Sequence, residues 1–391
     1  MAAGRLIGLD AARGVALLGM MAVHALWAFD AQDEVTWHFS LAAGRSAAAF
    51  AVLAGVGIAL MTRRRQVPKE ERRGVTAMLA TRALVIGTIG LALGHTDASL
   101  ATVILVFYAG LFVLAIPLSF LSTRVLAVLA PTIAIVVPVV SHLLRPSLPE
   151  AAGGHPSFHE LFYHPVTLVN DVFITGFYPV LAWTAYICAG LVIGRLQLSS
   201  RRVATRLLVG GLAVAVGASA LSWLLLGPLG GDQRLNAAAS ASGRSATDVS
   251  QTLTWGAGGV TPTETWWWLA TTAPHSTTPL DLLHTGGTSV ALIGGMLLLA
   301  RSWPLLLAPL AAAGSMTLTL YTAHILFMNS PLDVFPATPG YVIQVVFALS
   351  FAVIWHATFG RGPLESLTTA ASKAARRRAD RGMRRQAASA S

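Results

Sequence analysis

Charge is what this chain has least of: among 391 residues only 11% are Asp, Glu, Lys or Arg, against about 25% in a typical soluble domain. So few charges exclude a solvated globular surface, and with 54% hydrophobic residues the composition indicates an integral membrane protein. Cysteine is nearly missing too. Cys188 stands alone, which rules out an intramolecular disulfide. There is no P-loop, no dinucleotide-binding glycine fingerprint, and no heptad or fixed-period repeat. The first apolar run is too long for a signal-peptide core and lacks a small-residue cleavage site, so it is expected to remain as helix one.

What is present is a series of apolar runs, near 9–29, 46–62, 77–94, 99–121, 125–144, 173–194, 204–226, 280–300, 304–327 and 340–359. Each is of a length to cross the roughly 30 Å hydrocarbon layer. The expected fold is all-α, a polytopic membrane helix bundle of about ten transmembrane helices. Pro117, Pro131 and Pro138 interrupt the fourth and fifth runs, which neighbouring helices tolerate by re-satisfying the freed backbone groups.

Basic residues test that count, because Lys and Arg collect on the cytoplasmic side. With the N-terminus inside, the cytoplasmic segments hold Arg5, RRRQVPKEERR, Arg124, GRLQLSSRRVATR, Arg301 and the residues from Arg361 onward, together 21 of the 27 Lys and Arg. Both termini are therefore expected in the cytoplasm. The net charge of +10 then reports topology and contact with anionic membrane lipids, with no nucleic-acid partner expected. The domain reading is one transmembrane domain over 1–362 and a basic cytoplasmic tail over 363–391. Two larger extracytoplasmic loops, about 145–172 and 227–279, belong to the first. The second loop is rich in Ser, Ala, Gly and Thr and is expected to be partly mobile. Its Trp266, Trp267 and Trp268 are expected at headgroup level.

Chemistry is concentrated in LDAARGVALLGMMAVH, residues 9–24, where Asp10, Arg13 and His24 sit in an otherwise apolar helix. Each charge at mid-membrane costs about 2.5 to 3.5 kcal/mol, so such residues face a protein interior or a water-filled cavity. Arg13 and His24 are eleven residues apart, about three helical turns, so they share a face roughly 16 Å apart. Asp10 is placed to pair with Arg13 as an orienting ion pair. A histidine ordinarily titrates near neutrality, which makes His24 the leading candidate for function. Tyr321 and His324 share one side of a helix and can line a common cavity. Arg361 and Glu365 flank Gly362-Pro363 past the last span and are read as a cytoplasmic anchor. His155, His159 and His164 lie in a loop without cysteine or close carboxylate spacing, and no metal is expected there.

LDAARGVALLGMMAVHA and GRSAAAFAVLAGVGIAL resemble the opening of the heparan-α-glucosaminide N-acetyltransferase-like membrane proteins and their bacterial YeiB-like relatives. GFYPVLAWTAYICAGLVIGR, PHSTTPLDLLHTGGTSVAL, AAGSMTLTLYTAHI and FGRGPLESL resemble later blocks of the bacterial branch, in order. The Arg13-x10-His24 spacing also resembles the first-helix signature of membrane acyltransferases that O-acylate sugars. These resemblances imply a multi-pass protein of the bacterial cytoplasmic membrane. They imply an acyl-CoA co-substrate, acetyl-CoA first, and an extracytoplasmic hydroxyl or amine acceptor, a small molecule or glycan. Arg13 would meet the donor phosphates, with Arg361 a second contact. His24 would be the general base or an acylated nucleophile. Tyr321, His324 and His275 would bind the acceptor. In the lysosomal relatives the catalytic histidine lies three residues before a Trp-Asn pair. If Trp37 matches that Trp, Glu34 holds the histidine position and His38 the Asn position, which makes His38 and Glu34 rival bases. A different reading makes the polar stripe a translocation path in a transporter or lipid-handling protein.

Overall fold

The computed structural model describes residues 7–148, 154–259 and 261–390. Arg5 lies outside them. The described chain is helical throughout, and its one β-type contact is an isolated bridge between Phe29 and Val35. The first part runs α1 (Ile7–Ala25), α2 (Trp37–Ala42), α3 (Arg45–Met61), α4 (Arg72–Leu93), α5 (Leu105–Ser119) and α6 (Thr123–Leu144). Next come α7 (Phe158–Tyr163), α8 (Pro165–Asn170) with a π-helical turn Asp171–Thr175, α9 (Val180–Arg195), α10 (Arg201–Leu226), α11 (Gly231–Ala241) and α12 (Ala246–Trp255). The chain closes with α13 (Pro279–Ser302), α14 (Ala308–Gly314), α15 (Thr317–Met328), α16 (Ala337–Thr358) and α17 (Pro363–Ala390).

Among the described residues seven helices are long and apolar enough to cross a membrane, and up to nine spans result if each of two bent pairs counts as one. Those pairs are Pro165–Thr175 with Val180–Arg195, bent by 50°, and Ala308–Gly314 with Thr317–Met328, bent by 80°. The fourth apolar run of the sequence is a 15-residue helix, α5, because residues 101–104 enter it without helical structure. Each of the other apolar runs coincides with a spanning helix or a bent pair.

α1 packs on α3, α13 and α14. Its crossing with α14 depends on small residues, since a Cβ at Gly14 would strike the Leu310 carbonyl and one at Gly314 would strike the Asp10 carbonyl. Backbones approach this closely in membranes because packing, with no hydrophobic drive between helices, must supply the attraction. The sharp break between α14 and α15 is held from the tail. Glu365 accepts from the Leu318 N–H at 2.6 Å and from the Thr319 hydroxyl at 2.7 Å, placing a carboxylate at the first turn of α15. α17 then packs along α4, where Arg376 meets Glu71 at 3.2 Å.

The 227–279 segment holds regular structure that its composition hides. Instead of a loose stretch it forms α11 and α12 around a small core of Leu235, Ala239, Val249 and Trp268. Of the three tryptophans only Trp266 is exposed, and Trp268 is fully buried beneath the Arg244 guanidinium, 5.3 Å from its ring centre. Small residues made the segment look low in complexity, yet in α11 they let Leu235 and Ala239 seat against the indole.

Candidate functional site

Asp10 and Arg13 pair at 2.7 Å, and the other end of the Arg13 guanidinium approaches the Leu53 carbonyl. Arg13 also lines a cavity of about 380 Å³ between α1, α3, α4, α5 and the α14–α15 break. Arg82, from the middle of α4, faces the same space. Its guanidinium lies 5.6 Å from the Phe112 ring centre, its Nε is buried without a partner, and it is near enough to feel the charges of Arg13, Arg361 and Glu365. Two guanidiniums in one half-buried cavity repel unless an anion lies between or beside them.

From the arginine end the cavity wall continues through Met20, Tyr108 and Tyr321. Tyr108 donates to the Ala47 carbonyl at 3.0 Å, and the Tyr321 oxygen accepts from the Ile104 N–H at 3.2 Å. One turn beyond Met20 and Tyr321 stand His24 and His324, with His24 Nδ1 3.1 Å from His324 Nε2. The rings are 7° from parallel with centroids 5.4 Å apart, so they meet edge to edge through the two nitrogens instead of stacking face to face. His324 is 4% exposed, and its Nδ1 lies 2.6 Å from Gln344 Oε1 on α16.

His275 completes the group. It lies between the Trp266–Ala270 turn and α13 in a left-handed backbone conformation, φ 55°, against Phe177 and Tyr178 at 4.6 and 5.3 Å. Burial pushes its imidazole down to about 4, and its Nδ1 has no hydrogen-bond partner. It is close enough to His24 for their charges to interact.

The remaining candidates lie elsewhere. Glu34 is exposed in the turn after α1, where its backbone N–H donates to Asp30 at 2.9 Å. His38 Nε2 sits 2.9 Å from the Trp27 carbonyl. A carbonyl can only accept, so this nitrogen donates there and the ring's lone pair lies on Nδ1. His38 instead borders a separate, mainly apolar cavity of about 1170 Å³ with Trp37, Arg45 and His284. Arg361 is exposed and lies near enough to Arg82 for their charges to interact. His159, Glu160 and His164 each offer one ligand atom, all within 4.8 Å of one another, a grouping able to hold a metal ion.

Thus the structure places Arg13 and Tyr321 on one cavity, sets His24, His324 and His275 near one another a turn beyond it, and leaves Glu34 and His38 outside. Sequence reasoning passed over two members of the group. Arg82 carried the same signal as Arg13, an arginine inside an apolar span, and Gln344 is an isolated amide in the apolar run YVIQVVFALSF.

A multi-helix membrane protein with titratable groups gathered inside the bundle is the class that fold and site define. Residues 5–226 match the family described as heparan-alpha-glucosaminide N-acetyltransferase, catalytic, and the chain belongs to that family of membrane acetyltransferases. No curated protein matches the chain. His24, Arg13 and Arg82 fall within the matched stretch, whereas His275, Tyr321, His324 and Gln344 follow it.

Proposed function

We propose that the protein moves an acyl group, acetyl by analogy with its family, from cytoplasmic acyl-CoA to a hydroxyl or amine on an extracytoplasmic acceptor, a small molecule or glycan. The observation that carries this reading is the cavity with Arg13 and Arg82 at one end and the His24–His324 pair one turn past the other. Guanidiniums suit the phosphates of coenzyme A, and about 380 Å³ is within the roughly 300–1,000 Å³ of small-molecule sites. The pantetheine arm of the donor would follow this route, bringing its thioester toward His24. There the acceptor oxygen or nitrogen attacks the thioester carbonyl, His24 takes the acceptor's proton, and the thiolate leaves and recovers a proton. His275, Tyr321 and His324 would surround the acceptor side.

The accompanying topology is a ten-span bundle in the bacterial cytoplasmic membrane with both termini inside, an acyltransferase domain over 1–362 and a basic tail over 363–391. It rests on the partition of 21 of 27 basic residues. A transporter is the second reading, favoured by the two bent helix pairs. These would be the sixth and ninth of ten spans, positions that do not correspond between two five-span halves as repeat-built transporters require.

Purified protein incubated with radiolabelled acetyl-CoA, with and without cell-envelope glycans, tests the proposal. Transfer of label to glycan supports it. Loss of label to neither glycan nor water, in protein that binds coenzyme A, would turn attention to transport.

A further inference from the structure

A chain of three side chains from three distant segments ends at His24. Gln344 Oε1 lies 2.6 Å from His324 Nδ1, and His324 Nε2 lies 3.1 Å from His24 Nδ1. His24 Nε2 has no hydrogen-bond partner among the described residues. Neutral imidazole has one N–H and one lone pair, so each hydrogen bond dictates the next. The amide carbonyl of Gln344 can only accept, so His324 must carry its proton on Nδ1. His324 Nε2 is then a lone pair and can only accept, so His24 must carry its proton on Nδ1. That leaves Nε2 of His24 as a bare lone pair. If the amide were turned to present its nitrogen, an N–H···N contact of 2.6 Å would be shorter than such bonds run, and the polarity of the whole chain would reverse.

We infer that Gln344, acting through His324, is the positioning residue that sets the tautomer of His24 and so makes its Nε2 the proton acceptor. The inference rests on His24 being the base proposed above. A neutral amide is suited to the task inside a bundle. It fixes direction as the carboxylate behind a catalytic histidine does, without the cost of burying a charge. The buried position of His324, 4% exposed, and of Gln344, 8% exposed, leaves little water to supply a competing partner. When His24 Nε2 takes the acceptor's proton, its Nδ1–H still points at the His324 lone pair, so the new imidazolium is held by a hydrogen bond already in place.

The test reads the tautomer directly. Full-length protein labelled with 15N-histidine and reconstituted in lipid nanodiscs gives ring-nitrogen shifts, with the His24 signals assigned by their loss in His24→Gln. We expect a protonated Nδ1 and an unprotonated Nε2 for both His24 and His324. Gln344→Leu should admit the opposite tautomer at His24 and lower acetyl transfer about 10- to 100-fold with coenzyme A binding unchanged. Gln344→Glu, which keeps the acceptor, should restore both. A wild-type His24 protonated on Nε2 overturns the inference whether or not any variant folds. So does a Gln344→Leu protein with wild-type tautomers and wild-type transfer. If the wild-type protein transfers no acetyl group at all, the functional proposal fails, and the nitrogen shifts still decide the tautomer chain.

Discussion

Arg13 on α1 and Arg82 on α4 face one cavity, and of the two only Arg13 has a carboxylate at ion-pair distance. Arg82 therefore has the stronger claim on an incoming anion. Arg82→Gln should weaken coenzyme A binding about tenfold or more, since hydrogen bonds to charged groups contribute roughly 1.5–3 kcal/mol. It should also flatten the salt dependence of binding, because one fewer charge is screened. Calorimetry at low and high salt gives both quantities. An unchanged dissociation constant would remove Arg82 from the donor site.

His24→Gln keeps hydrogen-bonding capacity and much of the volume while removing the base. Turnover is expected to fall about 10²–10⁴-fold with folding and donor binding retained. A loss of thermal stability with an unchanged rate per folded molecule would mean that the His24–His324 contact is structural. Direct transfer further implies that labelled acetyl-CoA without acceptor leaves no label on the wild-type protein, and label that vanishes in His24→Gln would establish a covalent route instead.

Glu365 should matter for stability. Removing its carboxylate strips the N–H groups of Leu318 and Thr319 of their acceptor at a half-buried helix start. Glu365→Ala is expected to cost about 1–3 kcal/mol, seen as a lower thermal midpoint in detergent. Equal midpoints would show that water or a rearranged turn replaces the cap without loss.

Acid should destabilise the protein in part through His275. Folded, its imidazole is pushed down to about 4, whereas in the unfolded chain it protonates near 6.5. Between those values the unfolded state binds the extra proton, so stability falls as pH drops from about 6.5 toward 4 and is insensitive to this group above that window. His275→Gln should unfold with a weaker dependence on pH between 7.5 and 5, the difference being about 2 kcal/mol. Parallel pH slopes for the two proteins would exclude His275 as the source.

Topology can be read chemically. In a Cys188→Ala background, single cysteines at Ser147, Ser242 and Ser330 should react with an impermeant thiol reagent from outside, and those at Gln66 and Ser200 should not. Reversal at any position would break the ten-span arrangement.

Much of this was legible in the linear chain because it depends on near neighbours. Hydropathy along the sequence located the apolar helices, since solvation by lipid is decided residue by residue. The Asp10–Arg13 pair and the shared face of Tyr321 and His324 follow from helical spacing alone. The rank of His24 above His38 and Glu34 came from spacing, and the structure gives the three different partners, His324, the Trp27 carbonyl and Asp30. The helical order of 227–279 was hidden, because a run of small residues reads alike whether it is loose or packed against Trp268.

What tertiary structure alone decided is which distant groups meet. His24 and His324 are 300 residues apart, Gln344 and His275 approach them from other segments, and Arg82 shares the cavity of Arg13. No local pattern encodes that convergence. It depends on how closely helices can approach, as at Gly14 and Gly314, and on the 80° break that turns α15 toward α1. The sequence shows a histidine and two arginines within apolar runs. Packing decided that the arginines share a cavity and that the histidine ends a directed chain of hydrogen bonds, because direction requires partners whose positions only the assembled bundle sets.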